Sequence, residues 1–175
     1  MKIVWHVYVF LYIILYLSYF WWIYFMHSRF NVVSVTALVL PLIFIVVLYL
    51  SQRELNYKAK HVELVICIVL FICTFYQLWV HEQQSIFSTV KWNEHPKERV
   101  WMVDDLLTRY DFIGMDVSSL ESILGKENDT SYFEAPSRLV YYLGDERGFI
   151  SIDSEWLIFD VNNEGIVTNV NILHD

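Results

Sequence analysis

A tryptophan and four tyrosines near the start of the chain are spaced so that a helix would gather them into a stripe. Trp5, Tyr8, Tyr12, Tyr16 and Tyr19 stand 3, 4, 4 and 3 residues apart, within an arc of about 80° at 100° per residue. The run that holds them, residues 3–25, has no formal charge, and phenol hydroxyls in so apolar a setting need hydrogen-bond partners. The stripe is expected to face neighbouring helices, with hydroxyls bonded across the seam or to carbonyls. A groove for a small ligand or a lipid headgroup is the functional alternative. Glu63 and Gln77 stand in another apolar run, residues 62–80. Glu63 lies one turn from the start of that run with Lys58 and Lys60 nearby, so an interfacial anchor or local ion pair outweighs a proton relay. Gln77, near the other end, is expected to bond another helix or a headgroup. Tyr8, Tyr12, Tyr16, Tyr19, Glu63 and Gln77 are therefore the candidate intramembrane polar seam.

Motifs that would announce a reaction are missing from the sequence: there is no His-Glu-x-x-His, Cys-x-x-Cys, Gly-x-Ser-x-Gly, phosphate-loop or dinucleotide pattern. The six histidines, at 6, 27, 61, 81, 95 and 174, make no i, i+3 or i, i+4 pair. Placement in loops and at the ends of apolar runs is expected for them rather than metal ligation. Asp145, Glu146, Asp153, Glu155 and Asp160 gather near turns without a calcium-loop pattern, and a solvated acidic rim is expected there. No catalytic residue, metal site or cofactor is expected. Cys67 and Cys73 both fall inside residues 62–80, where small buried apolar roles suit them.

These residues must be positioned by long apolar elements. Hydrophobic residues make up 56% of the 175, above the roughly 45–50% of ordinary soluble domains. They concentrate in residues 3–25, 32–50 and 62–80, which as helices would be about 28–35 Å long, matching a hydrocarbon core of about 30 Å. In the second run 14 of 19 residues are Val, Leu, Ile or Phe. Three transmembrane helices follow. The first is expected to stay attached, since no small-x-small cleavage site closes it and no lipid-attachment cysteine follows it. Trp21, Trp22 and Tyr24 read as an aromatic belt, and Pro41 as a kink. The loop at 51–61 holds Arg53, Lys58 and Lys60, against Arg29 alone at 26–31. By the positive-inside rule the amino terminus lies inside and everything beyond Val80 outside.

Residues 81–175 are of a different composition: 7 Lys or Arg face 18 Asp or Glu, net −11, while the first 80 residues are +3. So acidic a region repels nucleic-acid phosphates, and no nucleic-acid partner is expected. Residues 81–96 read as a juxtamembrane connector that continues the third helix for a turn or two. Pro96 opens a new helix, with Val100, Val103, Leu106, Leu107 and Tyr110 on one face. Asp116 caps a short second helix carrying Val117, Leu120, Ile123 and Leu124, which Gly125 ends. Strands are expected at 138–143, 156–161 and 166–172, the last with Ile166, Val170 and Ile172 on one face. Residues 144–148 read as a turn and 162–165 as a hairpin loop, while 149–152 are open between strand and hairpin. Residues 97–175 thus make a small α+β two-layer domain, two helices packed on a three-stranded antiparallel meander. Asn128, Asp129 and Thr130 match a glycosylation sequon. Among Trp92, Trp101 and Trp156, most are expected in the core, with a partner-binding anchor as the alternative.

The motifs of this region resemble a known family. Gly114-Met115-Asp116 followed by Val117, Ile123, Leu124 and Gly125 is similar to the G-M-[ST]-x-x-[EQ]-V-x-x-L-L-G signature of the SmpA/OmlA/BamE-like domain. Tyr141 to Gly144, and Leu157 to Asp160 with Gly165 and Val167, are similar to that family's Y-x-L-G and L-x-x-x-F-D-x-x-G-x-V strands. The resemblance covers residues 97–172 and none of the membrane part. It implies a helix–helix–sheet module, of the broad shape class of the β-lactamase-inhibitor protein, that binds proteins and has no catalytic centre. The chain departs from the lipoprotein members by lacking their lipid-attachment cysteine and by its three apolar spans, so the domain transfers rather than the assembly role.

The function expected from sequence is a membrane-anchored, non-catalytic protein–protein interaction module. It would sit on the outer face of a bacterial cytoplasmic membrane, with the lipid bilayer and another envelope protein as partners. The alternative is a small integral-membrane transporter or enzyme subunit with a regulatory extracytoplasmic domain. The sequence leaves the oligomeric state open.

Overall fold

The computed structural model describes residues 2–51, 57–128, 130–133, 135–148 and 150–175. Arg53 and Glu54 of the basic loop, Asp129 of the sequon and Phe149 lie outside the described residues. The chain divides into two units, residues 1–83 and 84–175.

Three helices build the first unit: α1 (Lys2–Met26), α2 (Val32–Ser51) and α3 (Tyr57–Ser85). All three are long and apolar enough to cross a membrane. α1 buries Trp5, Val9, Tyr12, Tyr16 and Ile23 in one cluster with Leu38, Ile45, Cys67 and Leu78 of the other helices. The steps of four, three, four and seven residues are the spacing of a helix–helix seam. The opposite faces are apolar too. Only 11% of the most apolar stretch of α2 is buried inside the chain, and Leu40, Ile43, Phe44 and Val47 are exposed. A helix apolar all round with so little of it covered requires apolar surroundings. Trp21, Trp22 and Tyr24 are exposed on α1. Cys67 is buried, but Cys73 is exposed on the surface of the unit, which corrects the expectation that both are buried: six residues of helix rotate Cys73 away from the seam. α2 continues through Pro41.

The second unit takes in the last residues of α3, α4 (Thr89–Glu94), a 3-10 turn at Pro96–Glu98, α5 (Arg99–Arg109), α6 (Val117–Leu124), β1 (Arg138–Asp145), β2 (Ser154–Val161) and β3 (Val167–His174). The strands form one antiparallel sheet in the order β1-β2-β3. Its alternating residues divide between two clusters, as period-two geometry demands. Tyr141, Leu143, Leu157, Phe159 and Val167 are buried with Val100, Met102, Val103 and Leu106 of α5, Leu120 and Leu124 of α6, and Phe87 and Trp92. Val140, Trp156 and Ile158 form a second cluster with Phe133 and Tyr142.

Two expectations about the strands are corrected. β3 starts at Val167, and Val167 rather than Ile166 is buried with Val170 and Ile172 packed against the same core. The register shifts between Asp160 and Val161, where Val161 faces Val167 and Asp160 faces Asn169. That bulge inserts one residue and reverses the side-chain alternation. Gly144 and Asp145, expected in a turn, belong to β1, which carries a second irregularity between Tyr142 and Gly144.

The helix caps act as their residue types dictate. The Asp116 carboxylate accepts from the Ser119 N–H at 3.0 Å and from the Ser118 and Ser119 hydroxyls, and Gly125, at φ +75°, ends α6 by donating to the Glu121 carbonyl at 2.8 Å. Ser118, then Ser119, hold the Asp116 carboxyl well below the usual carboxylate range. A carboxyl lowered in the folded state stabilises it fully above the unfolded value of about 3.9 and loses that contribution as pH falls through the native value. Asp116→Ala is therefore expected to lower the melting temperature of the second unit at pH 7, with the gap to wild type closing toward pH 2. Thermal melts followed by near-ultraviolet circular dichroism at several pH values check this.

Candidate functional site

The polar seam of the first unit is built by side chains of α1 reaching the backbones of α2 and α3. The Tyr8 hydroxyl donates to the Pro41 carbonyl at 3.1 Å, Tyr12 to the Cys67 carbonyl at 3.2 Å, and Tyr16 to the Leu38 carbonyl. A helical carbonyl already serving its own ladder has a second lone pair, so these bonds join helices without breaking any rung. The rings of Tyr12 and Tyr16 stack at 4.1 Å, and Tyr8 packs on Phe44 at 4.7 Å. Tyr19 lines a separate groove of about 640 Å³ with Trp22, Val33, Ala37 and Leu38, bordered by Ser28 and Ser34.

Glu63 and Gln77 lie at the two ends of α3's apolar stretch. The Glu63 carboxylate accepts from the Trp5 indole N–H and meets His6 Nδ1 at 3.1 Å, so its partners sit on α1. Lys60 Nζ donates to the Tyr49 carbonyl and lies 4.2 Å from the centre of the Tyr49 ring, and the Tyr49 hydroxyl meets His61 Nδ1 at 2.6 Å. Gln77 turns its amide to α1; with the amide oriented so that both its atoms find partners, it donates to the Phe20 carbonyl at 3.3 Å and accepts from the Tyr24 N–H at 3.2 Å. Fourteen residues of helix separate Glu63 from Gln77, about 21 Å of axial rise, and the Tyr8, Tyr12 and Tyr16 hydroxyls are bonded to carbonyls. The arrangement fastens helices together.

Beside Gln77's end, the rings of His27 and His81 stack at 3.9 Å with their planes 5° apart. Burial, then His81 and Arg29, push His27 down to about 3, so the stacked pair forms with His27 neutral. Asn31 and Ser34 start α2 with reciprocal bonds of 2.8 and 3.0 Å, and Glu82 accepts the Phe30 N–H at 3.1 Å. Among the described residues no group of three or more His, Cys, Asp or Glu side chains is placed to hold a metal ion.

In the second unit the acidic residues divide by partner. Glu155 is buried, its carboxylate bonded to Arg147 through Nε at 3.0 and 3.1 Å, Nη2 at 2.9 Å and the backbone N–H at 2.9 Å. Arg147 Nη1 reaches both oxygens of Asp104 at 3.0 Å. Burial works against the Arg147 charge, yet Glu155 and Asp104 hold its pKa above the ordinary value. Asp160 pairs with Arg138 at 2.9 Å. A solvated rim is thus corrected for Glu155 and Asp160, whose positions on β2 turn them toward arginines of neighbouring segments.

Arg99 is the functional-looking residue that sequence reading passed over. It is buried, donating to the Trp92 carbonyl at 2.7 Å, the Tyr142 carbonyl at 3.2 Å and Asn128 Oδ1 at 3.3 Å, with its guanidinium 4.9 Å from the Trp92 ring centre. Burial lowers its pKa, and among the described residues its polar contacts are neutral acceptors. It works as a clip binding the α4 end to the β1 edge. Asn128 completes the clip, accepting from the Tyr142 N–H at 2.8 Å and donating its own N–H to Val140 at 2.9 Å. Trp92 and Trp156 are buried. A groove of about 810 Å³ beside β1 carries both signs of charge, from Glu121, Lys126, Glu127 and Arg138.

The chain matches no family model, no curated protein and no solved structure.

Proposed function

We propose that the chain is an integral membrane protein whose three helices anchor an acidic protein-binding module, without catalytic chemistry of its own. The single observation that carries this reading is the contrast between the units. The first exposes apolar side chains along α2 on the side away from the seam, whereas residues 84–175 close a core of their own and carry the acidic excess. The bonding of the Tyr8, Tyr12 and Tyr16 hydroxyls to backbone carbonyls favours an anchoring role for the seam. The module is a two-layer α+β domain, α5 and α6 on the three-stranded sheet, and its likeness to the SmpA/OmlA/BamE-like domain supports binding of another envelope protein. Its place is the outer face of a bacterial cytoplasmic membrane, supported by the basic residues between the second and third spans.

The test is affinity purification from solubilised membranes of the whole chain and of a chain lacking residues 97–175. A protein that co-purifies with the first and is lost from the second, while both remain in the membrane fraction, is the expected result. Equal recovery of that protein with the shortened chain would contradict the proposal.

A further inference from the structure

The two edges of the sheet are treated differently. On β1 the outward groups are capped one by one: Arg138 N–H donates to the Ala135 carbonyl at 3.1 Å, Val140 N–H to Glu127 at 3.3 Å and Tyr142 N–H to Asn128 at 2.8 Å, while the Val140 and Tyr142 carbonyls accept from Asn128 and Arg99. On β3 the same protection begins and stops. Val167 exchanges bonds of 2.8 and 2.9 Å with Gly114 and Met115. Because Arg138, Val140 and Tyr142 bond outward on β1, Leu139 and Tyr141 bond their β2 partners Phe159 and Leu157. Trp156, Ile158 and Asp160 then bond the other way, to Leu173, Asn171 and Asn169, so Val170, Ile172 and His174 direct their N–H and C=O groups outward. Among the described residues no hydrogen bond is made to the outward groups of Val170 and Ile172.

An open edge is a template for another strand unless charge, proline or a bulge guards it. β3 from Val167 to His174 holds no Lys, Arg, Asp, Glu or Pro, within a region of net charge −11. The edge brings no carboxylate of its own to pair with a cationic strand, and β3 is the one strand along which two copies meet without opposed carboxylates. Its residue order also complements itself. In an antiparallel pair centred on Asn171, Val170 of each copy faces Ile172 of the other, and Asn171 faces Asn171. β-Branched pairs and amide pairs of this kind stabilise neighbouring strands.

We propose that two copies of this chain join through β3, edge to edge and antiparallel about Asn171, into a continuous six-stranded sheet. This goes beyond the binding of an envelope protein and does not depend on it. Anchorage in one bilayer, the part of the proposed function on which it draws, raises the local concentration of each copy around the other.

The two Asn171 residues face each other at a non-hydrogen-bonded position, with Cα atoms about 4.5 Å apart, inside the range that a disulfide spans. The whole chain carrying Asn171→Cys, with Cys67→Ala and Cys73→Ser, is oxidised mildly in native membranes. The expected result is a disulfide-linked dimer that Asn163→Cys, in the exposed hairpin loop, does not give. Adding Val170→Pro or Ile172→Pro removes an outward N–H while leaving the β2 side paired, and abolishes the link. No dimer from Asn171→Cys, an equal dimer from Asn163→Cys, or linkage of Asn171→Cys to a different protein overturns the proposal. Should the prolines unfold the unit, the contrast between Asn171 and Asn163 decides alone. Loss of the co-purifying envelope protein with an intact dimer link would count against the proposed function only.

Discussion

Gly144→Ala is expected to cost the second unit about 2–4 kcal/mol, a large part of the stability of a small domain. Gly144 sits at φ +132°, and a Cβ built there would lie 2.2 Å from the Lys97 carbonyl oxygen and 3.0 Å from its carbon. The obstacle is backbone, so it cannot rotate away as a side chain would. Relief requires β1 or the turn at Pro96–Glu98 to move, and that turn leads directly into α5. Gly148 provides the control: its φ is also positive, +145°, but nothing lies within 4 Å of a Cβ there. Gly148→Ala bears only the conformational penalty, about 1–3 kcal/mol. Urea unfolding of the whole chain in detergent, followed by tryptophan fluorescence, measures both. Equal losses would remove the steric explanation.

Arg147→Ala is expected to cost about 3–5 kcal/mol, because it strands a buried carboxylate. Glu155 is 1% exposed, and the arginine supplies all of its side-chain donors in the network described above. The contact of Arg147 with Asp104, whose side chain is 49% exposed, adds little by itself. Arg147→Lys recovers only part of the loss, since an ammonium cannot match the fork that meets both carboxylate oxygens. The double variant Arg147→Met with Glu155→Gln removes both charges and is expected to lie well above Arg147→Ala in stability. The same unfolding measurement reads all three, and a double variant as unstable as Arg147→Ala would contradict the account.

What the sequence made legible depends on whether the signal was local. Apolar runs of bilayer length marked the three long helices, since each apolar stretch reports on itself. Asp116 and Gly125 marked the ends of α6 because caps are set by the residues that make them. The hairpin between β2 and β3 was legible from its turn residues. Errors arose where a distant contact decides. The burial of Arg99 needs the Trp92 and Tyr142 carbonyls, which no spacing around Arg99 announces. Glu155 looks like one more acid near a turn until Arg147 folds over it. The bulge at Asp160 and Val161 reverses the face of β3 without altering its alternating pattern, so Val167 replaced Ile166 in the core. Gly144 resembled a turn glycine, yet what it accommodates is the close approach of Lys97. α4 is six residues long, too short for periodicity to separate it from a connector. In the seam the stripe of Trp5, Tyr8, Tyr12 and Tyr16 was visible, but not that Glu63 would meet Trp5 and His6, since pairing between helices depends on their relative rotation.

The claim beneath all of this is that the chain crosses a bilayer three times and carries its acidic region to the outside. The most direct measurement is labelling of single cysteines in intact cells by a membrane-impermeant maleimide, in a background with Cys67→Ala and Cys73→Ser. Ser28→Cys and Asn163→Cys are expected to react from outside, and Lys58→Cys only after the membrane is opened. Labelling of Lys58→Cys in intact cells with Ser28→Cys and Asn163→Cys protected, or recovery of the chain in the soluble fraction, would contradict the account.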